Sequence, residues 1–266
     1  MSFKQIMKDF GLYIDMLTMD AEMISAHAHD AYEIYYLLQG SRAFFINQSF
    51  FRVNEGDFIL VPEGELHRTA GSKCTRININ FSKSYLQQFC TSKTTNLLLK
   101  AFDNYQVRPM EKDSKRALNI LLEINKLFPD REDRIFLLLV ELFDILNQAK
   151  KVTQVELSKE EEKIQEIVEY TNKNFAIINS TQDVSSAFYL SKEYFCRLFK
   201  KNLGITFSDY LNKTKLHYAT KLLVTTNKRL NEIATLCGFH SKEYFCTVFK
   251  TEYGITPSTY KRIHKK

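Results

Sequence analysis

The chain begins with short runs in which apolar and polar residues alternate, and these runs extend to about Phe81. Such alternation predicts β-strands, because successive side chains of a strand point to opposite faces. Gly40 and the stretches 54–57 and 62–64 supply turn residues between the runs. Several short strands at this spacing predict a small sandwich or barrel. The predicted strands are EIYYLLQG, SRAFFINQ, SFFRVNEGD, FILVPEGE and TRININF.

From about residue 95 the spacing of apolar residues lengthens to three and four. That period predicts two helices, 115–128 and 131–149, which are separated at Pro129. The second helix is apolar around most of its circumference, so it must be buried within its own domain or against a second copy of the chain. The predicted organisation is a barrel over residues 1–95, a helical dimerisation segment over 96–150 and a polar linker over 151–162.

An internal repeat occupies the last third of the chain. Residues 191–210 and 241–260 are identical at 13 of 20 positions, so one structural unit has been used twice. Each copy starts at a good helix N-cap, Ser191 or Ser241, and follows a short apolar segment and a tight turn. This order predicts two helix-turn-helix units, whose second helices enter the DNA major groove. The predicted units are residues 181–202 and 230–252.

One long helix is predicted between the two copies, over residues 208–225. At 1.5 Å per residue it spans about 27 Å. A rigid spacer of that size could hold two recognition helices near the ~34 Å that separates successive major grooves on one face of DNA. The part from 163 to 266 is therefore predicted to be all-α, and the whole chain a multidomain α+β protein.

Charge is distributed unevenly along the chain. The net charge is −1 over residues 1–158 and +7 over residues 159–266. The basic excess predicts a polyanionic partner, double-stranded DNA, for the second part only. The five cysteines show no CxxC spacing, so we expect reduced thiols in a cytoplasmic protein. No run approaches the ~20 apolar residues of a membrane span, and no membrane partner is expected.

The paired S-x-x-Y-F-x-x-x-F-K helices and the closing segment GITPSTY, 254–260, resemble the AraC/XylS transcription regulators over residues 164–263. The first copy departs from the second by having Phe207 in place of Pro257, and it has Tyr189 where a turn glycine is common. The resemblance implies an N-terminal cupin-like sensor barrel with a helical hairpin and a C-terminal double helix-turn-helix domain. It also implies a homodimer, a small-molecule effector such as a sugar or other catabolite, and an activator that works with RNA polymerase.

The resemblance places exposed positions early in each recognition helix against base edges. Arg197 can donate two hydrogen bonds to guanine, and Thr247 can contact a thymine methyl group. Cysteine is a weak hydrogen-bonding residue, so Cys196 and Cys246 are expected to make apolar contacts. The predicted base-contacting residues are Glu193, Cys196, Arg197, Lys242, Glu243, Cys246 and Thr247. The predicted phosphate-contacting residues are Lys192, Lys200, Lys201, Lys213, Lys215 and Lys250.

The N-terminal part carries polar residues in a pattern that resembles the cupin barrel. Two histidines two residues apart on a strand, His27 and His29, face the same way, and with Glu33 and His67 they form a plausible metal-binding set. The alternative is a pocket for an organic effector. We predict the pocket and no cofactor, because the AraC resemblance implies that such histidines are often kept without a metal. The predicted pocket residues are His27, His29, Glu33, Tyr35, Arg42 and His67.

The leading hypothesis is a sequence-specific DNA-binding transcription regulator, an activator that responds to a small molecule and is not an enzyme. A second hypothesis is a metal-dependent cupin enzyme fused to a DNA-binding module. A third is a constitutive DNA-binding protein with a vestigial barrel. Metal content and ligand-induced thermal stabilisation discriminate among the three.

Overall fold

The computed structural model describes residues 3–20, 26–152 and 156–264. The chain divides into two compact units, Met1–Glu156 and Leu157–Lys266, and this division falls inside the stretch predicted as a linker. Among the described residues, each helix is too short or too polar to cross a lipid bilayer.

The first unit contains two antiparallel sheets. Its strands in chain order are β1 Leu12–Met19, β2 Tyr32–Gln39, β3 Ser41–Ile46, β4 Ser49–Asn54, β5 Phe58–Val61, β6 His67–Ala70, β7 Cys74–Phe81, β8 Gln106–Arg108 and β9 Lys150–Lys151. The larger sheet has the order β1-β7-β2-β5-β8-β9, and the smaller one has the order β4-β3-β6. The five predicted strands are confirmed as β2, β3, β4, β5 and β7. Strands β1, β6, β8 and β9 are not among the predicted runs.

Strand β2 is buried on both faces, which explains its nearly continuous apolar sequence. Ile34 belongs to a core that the larger sheet shares with helices. Tyr35, the next residue, belongs to a second core, which includes Phe44 of the smaller sheet. The helices of this unit are α1 Phe3–Phe10, α2 Lys83–Gln87, α3 Ser92–Leu98, α4 Glu111–Leu127 and α5 Glu132–Gln148, with a 3-10 turn at Leu99–Asp103.

Residues 96–150 are not a separate module, contrary to their description as a dimerisation segment distinct from the barrel. The two predicted helices are present as α4 and α5, but the same stretch also contributes β8 and β9 to the larger sheet. Leu139, Leu142 and Phe143 of α5 are fully buried in the core that includes Ile34 and Ile79. Most of the apolar circumference of α5 is therefore covered within its own unit.

The second unit is all-α in its described part. Its helices are α6 Lys159–Asn174, α7 Thr181–Ala187, α8 Lys192–Leu203, α9 Phe207–Thr225, α10 Leu230–Leu236, α11 Lys242–Tyr253 and α12 Pro257–His264. The two predicted helix-turn-helix units are present as α7 with α8 and α10 with α11, and the predicted spacer helix is α9. Ser191 and Ser241 are N-caps, since their hydroxyl oxygens accept hydrogen bonds from the backbone N–H groups of Tyr194 and Tyr244.

The two departures between the repeats have local explanations. Phe207 and Pro257 are both the first residue of the helix that follows a recognition helix, a position that tolerates proline. Phe207 instead packs edge-on against Phe195, with ring centroids 5.1 Å apart. The turns of both units need a left-handed residue, and Tyr189 (φ 56°) takes the place of Gly238 (φ 72°). Tyr189 is 97% exposed, so its side chain lies in solvent.

Candidate nucleic-acid interface and histidine cluster

Helix α8 has one buried and one exposed face. Phe195 and Phe199, four residues apart, are fully buried, and their rings lie 5.9 Å apart. The opposite face is exposed, and it carries the three predicted base-contacting residues of the first unit, Glu193, Cys196 and Arg197. The structure thus brings these three side chains together on one solvent-facing surface.

The Arg197 guanidinium lies over an aromatic ring on its own helix. Its Cζ atom is 5.6 Å from the centroid of Tyr194, one turn earlier. A cation over a ring face is attracted by the ring quadrupole, at about 0.5–1 kcal/mol for an exposed pair. This contact restricts the guanidinium on the exposed face of α8, where it can present its donors outward.

Helix α11 repeats the arrangement. Lys242, Glu243 and Thr247 are exposed, whereas Cys246 is partly buried. Burial raises the pKa of the Cys246 thiol, so the neutral thiol is favoured. The Thr247 hydroxyl donates to the Glu243 carbonyl at 3.0 Å, which fixes the side chain on its helix. The Thr247 methyl group and the second lone pair of its hydroxyl oxygen remain for other contacts.

The predicted phosphate-contacting lysines other than Lys215 occupy two kinds of environment. Lys192, Lys200 and Lys250 are exposed on the recognition helices. Lys201 and Lys213 form surface ion pairs, Lys201 with Glu160 at 2.6 Å between Nζ and Oε2, and Lys213 with Glu252. Exposed pairs of this kind contribute only about 0–1 kcal/mol, so a phosphate could displace the carboxylate.

The prediction for Lys215 is wrong. Its side chain is 6% exposed, and its ammonium donates to the carbonyl oxygens of Ile178, at 3.0 Å, and Gly238, at 2.7 Å. Burial lowers the pKa of Lys215. The ammonium is held inside the unit and cannot reach a DNA phosphate. Ile178 precedes α7 and Gly238 lies in the turn before α11, so Lys215 joins the two helix-turn-helix units from the spacer helix.

In the first unit, two backbone hydrogen bonds join His27 to His67, two members of the predicted metal-binding set. The N–H of His27 donates to the carbonyl oxygen of His67 at 3.0 Å, and the N–H of His67 donates to that of His27 at 2.9 Å. Glu33 Oε2 lies 3.0 Å from His29 Nε2 and 3.4 Å from His67 Nε2. The structure therefore assembles all four residues of the predicted metal set into one cluster, which we call the histidine cluster.

Electrostatics within the histidine cluster favour a charged carboxylate. Burial acts to raise the pKa of Glu33, but hydrogen bonds with His29 and His67 outweigh it and hold that pKa well below its ordinary value. Burial acts to lower the pKa of His67, but the neighbouring Glu33 carboxylate outweighs it and raises that pKa. Glu33 is thus held as a buried carboxylate beside the rings of His29 and His67.

Tyr35 and Arg42, also predicted to line the pocket, use their polar groups within the protein. The Tyr35 hydroxyl lies 3.8 Å from Cys74 Sγ in the core between the sheets, and burial raises its pKa. The Arg42 guanidinium is buried and donates to the hydroxyl of Thr69 and to the carbonyl oxygens of residues 71 and 72. These bonds tie β3 to the turn after β6, and the lining of a pocket by Arg42 stays a prediction.

Strand β7 carries polar residues that the sequence reasoning missed. Asn80 lies directly opposite Glu33, and Asn78 lies directly opposite Tyr35, so they share the face of β2 that points between the sheets. The side-chain oxygens of both asparagines are buried without a hydrogen-bond partner. The signal was present in TRININF, where asparagine alternates with isoleucine in a strand buried on both faces. Polar side chains of a strand that is buried on both faces point into the interior of the unit.

The second unit thus contains two helix-turn-helix units, each with a capped recognition helix and an exposed polar face. This architecture is that of a helix-turn-helix protein. The family model described as a helix-turn-helix domain matches residues 184–263, and the model of the AraC-like ligand binding domain matches residues 18–160. The chain belongs to the AraC family of DNA-binding transcription regulators, and it carries that family's ligand-binding domain.

The chain is similar to several bacterial transcription regulators. The chain is 27% identical over 145 residues to the HTH-type transcriptional regulator YijO of Escherichia coli, covering 54% of this chain and 44% of that protein. It is 22% identical over 131 residues to the lactose operon transcription activator of Staphylococcus xylosus, covering 48% and 47%. It is 25% identical to the regulator YdeC of Bacillus subtilis, covering 82% and 79%. The aligned part is thus less than half of the first two relatives.

Among solved structures, the C-terminal domain of the response regulator AraT from Geobacillus stearothermophilus is 29% identical, with a TM-score of 0.39, covering 42% of this chain and 91% of that one. ToxT from Vibrio cholerae is 13% identical, with a TM-score of 0.39, covering 96% of this chain and 98% of that one.

Proposed function

We propose that this regulator is an activator that reads a specific DNA sequence with α8 and α11 when its N-terminal unit binds a small molecule. One observation carries the proposal. Two recognition helices with the same caps and the same buried phenylalanines each present an exposed, polar face. A helix of this kind fits the B-DNA major groove, where each base pair presents a distinct pattern of donors and acceptors.

Base readout is assigned to the exposed early positions of the two helices. Arg197 would donate to O6 and N7 of a guanine, and the Glu193 and Glu243 carboxylates would accept from cytosine N4 groups. Lys242 would donate to guanine, Thr247 would contact a thymine methyl group, and Cys196 and Cys246 would make apolar contacts. Lys192, Lys200, Lys201, Lys213 and Lys250 are assigned to phosphates, a set from which the buried Lys215 is removed.

The effector is proposed to bind between the two sheets of the first unit. The buried, unpaired side-chain oxygens of Asn78 and Asn80 support this location, since they can accept from ligand hydroxyl groups. Glu33 lies opposite Asn80 and contacts His29 and His67, and His27 pairs with His67, so these four residues complete the proposed site. The relative named as a lactose operon transcription activator supports a sugar or related catabolite as the class of effector.

The active form is proposed to be a homodimer that recruits RNA polymerase in the cytoplasm. Leu122 of α4 and Leu137 of α5 are exposed apolar residues in the first unit, and a second copy could cover them. We propose no catalytic activity, because the matched family model and the named relatives are those of transcription regulators.

The test is genome-wide mapping of DNA bound by the full chain, followed by selection of bound sequences from a random pool. We expect an enriched motif with two half-sites, and bound promoters near genes of one catabolic pathway. The matched control is the Arg134→Ala variant, which changes an exposed arginine of the first unit and should keep the same motif. Enrichment of random DNA without a motif would contradict the proposal.

A further inference from the structure

The two ring nitrogens of His29 and of His67 in the histidine cluster face different groups. His29 Nδ1 lies 3.0 Å from the carbonyl oxygen of Ala31, and His67 Nδ1 lies 3.0 Å from that of Glu65. A carbonyl oxygen only accepts, so each Nδ1 atom must carry a hydrogen. A neutral imidazole has one N–H group, and therefore the Nε2 atom of each neutral ring presents a lone pair.

Both of these Nε2 atoms face the same carboxylate oxygen. Glu33 Oε2 is 3.0 Å from Nε2 of His29 and 3.4 Å from Nε2 of His67. An ionised carboxylate is also only an acceptor. Three groups of lone pairs thus converge on one point when both rings are neutral. A proton on one or both rings, or a metal ion, can occupy that point.

The third histidine of the cluster favours the metal ion. His27 adds a third ring, 4.4 Å from His67. One metal ion accepts lone pairs from all the groups at once. Anchoring of the second ring nitrogen on a backbone carbonyl is also the usual environment of metal-binding histidines.

The spacing of the ligand atoms fits one ion. The ligand nitrogens of His27, His29 and His67 all lie within 4.8 Å of one another. At a metal–nitrogen distance of about 2.1 Å, two nitrogens on one ion can be at most about 4.2 Å apart. Small side-chain rotations close the difference, and the backbone bridge between His27 and His67 already fixes two of the rings side by side.

We propose that His27, His29, His67 and Glu33 bind one divalent first-row transition-metal ion. Three imidazoles and one carboxylate select such an ion over Mg²⁺ or Ca²⁺, which prefer oxygen ligands. The site lies in the proposed effector region but does not depend on DNA binding. An ion of six-fold coordination keeps two positions open, which an oxygen-bearing effector can occupy.

The test uses the full chain purified without a histidine tag, stripped of metal with a chelator, and titrated with Co²⁺ and then Zn²⁺. We expect one ion per chain by elemental analysis, Co²⁺ absorption bands in the visible range that Zn²⁺ removes, and a higher melting temperature with Zn²⁺. The Glu33→Gln and His29→Gln variants should bind at least tenfold more weakly. The control is His240→Gln, which removes an exposed histidine of the second unit and should bind like the unchanged chain.

The inference is overturned if the unchanged chain binds no metal, or if folded Glu33→Gln and His29→Gln variants bind as tightly as the control. Circular dichroism melting of each variant separates loss of ligands from loss of fold. Sequence-specific DNA binding is measured on the same samples. A chain that reads its DNA motif but takes no metal overturns this inference alone, whereas a chain that takes one ion but shows no motif overturns the proposed function alone.

Discussion

Two exposed residues of the recognition helices, Arg197 and Lys250, differ in the groups of DNA that they can contact. On α8, Arg197 is the exposed residue with the greatest capacity for discrimination, because its planar donors match guanine O6 and N7. Lys250 on α11 is a point charge suited to phosphate. The two side chains should therefore give different signatures when they are removed.

Replacing Arg197 with alanine should relax specificity at one base pair by about 1–3 kcal/mol, while binding to random DNA falls little. The measurement is competition of operator variants by fluorescence anisotropy. Lys250→Ala is the matched variant, and it should weaken binding to operator and random DNA alike and reduce the salt slope by about one. Equal losses on operator and random DNA for Arg197→Ala would show that it does not read a base.

Replacing Lys215 with methionine should destabilise the C-terminal unit. The substitution leaves the carbonyl oxygens of Ile178 and Gly238 buried without their donor, and an unsatisfied buried acceptor costs about 1–3 kcal/mol. Urea unfolding of the full chain measures the change. Lys221→Met, on the exposed side of the same helix, is the control and should stay within about 0.5 kcal/mol of the unchanged chain. Equal stability of the two variants would refute the junction role of Lys215.

At the scale of elements, sequence pattern predicted what depends on local periodicity. Strands β2 and β7 and helices α8 and α11 carry strong alternation or a repeat, and all four are present. Strands β8 and β9 have three and two residues, and they exist because β8 pairs with β5 and β9 pairs with β8. Pairing partners far apart in sequence leave no periodic signal. The same limit explains Lys215 and Arg42, whose burial depends on carbonyl groups contributed by distant turns.

The turns of the two helix-turn-helix units provide a matched pair of substitutions. A Cβ atom at Gly238 would lie 2.2 Å from the carbonyl oxygen of Ala176, so Gly238→Ala must push backbone apart as well as strain a positive φ. Tyr189 has the same positive φ but lies in solvent. Thermal unfolding should show a loss of more than about 2 kcal/mol for Gly238→Ala and a change within about 1 kcal/mol for Tyr189→Gly. A harmless Gly238→Ala would contradict the close approach.

At the scale of the whole molecule, the chain separates two tasks that its charge already distinguishes. The part up to residue 158 has a net charge of −1 and contains the histidine cluster, whereas the part from 159 has +7 and contains both recognition helices. Counterion release should therefore make DNA affinity strongly salt-dependent, while binding of a metal ion by the buried cluster should respond little to salt.

The two recognition helices should act together on one face of DNA. Helix α9, with 19 residues, spans about 28 Å at 1.5 Å per residue, and the Lys215 ammonium ties it to both helix-turn-helix units. Two rigidly joined helices can enter successive major grooves only if the half-sites are about 10–10.5 base pairs apart. Inserting five base pairs between the half-sites should rotate one half-site to the opposite face of the DNA. The affinity should then fall to that of a single half-site, as measured by gel shift.

Inserting one base pair between the half-sites tests the rigidity of the junction that Lys215 forms. In the unchanged chain it should already weaken binding, and in Lys215→Met it should weaken binding less. Full affinity on the five-base-pair insertion would mean that the units bind independently.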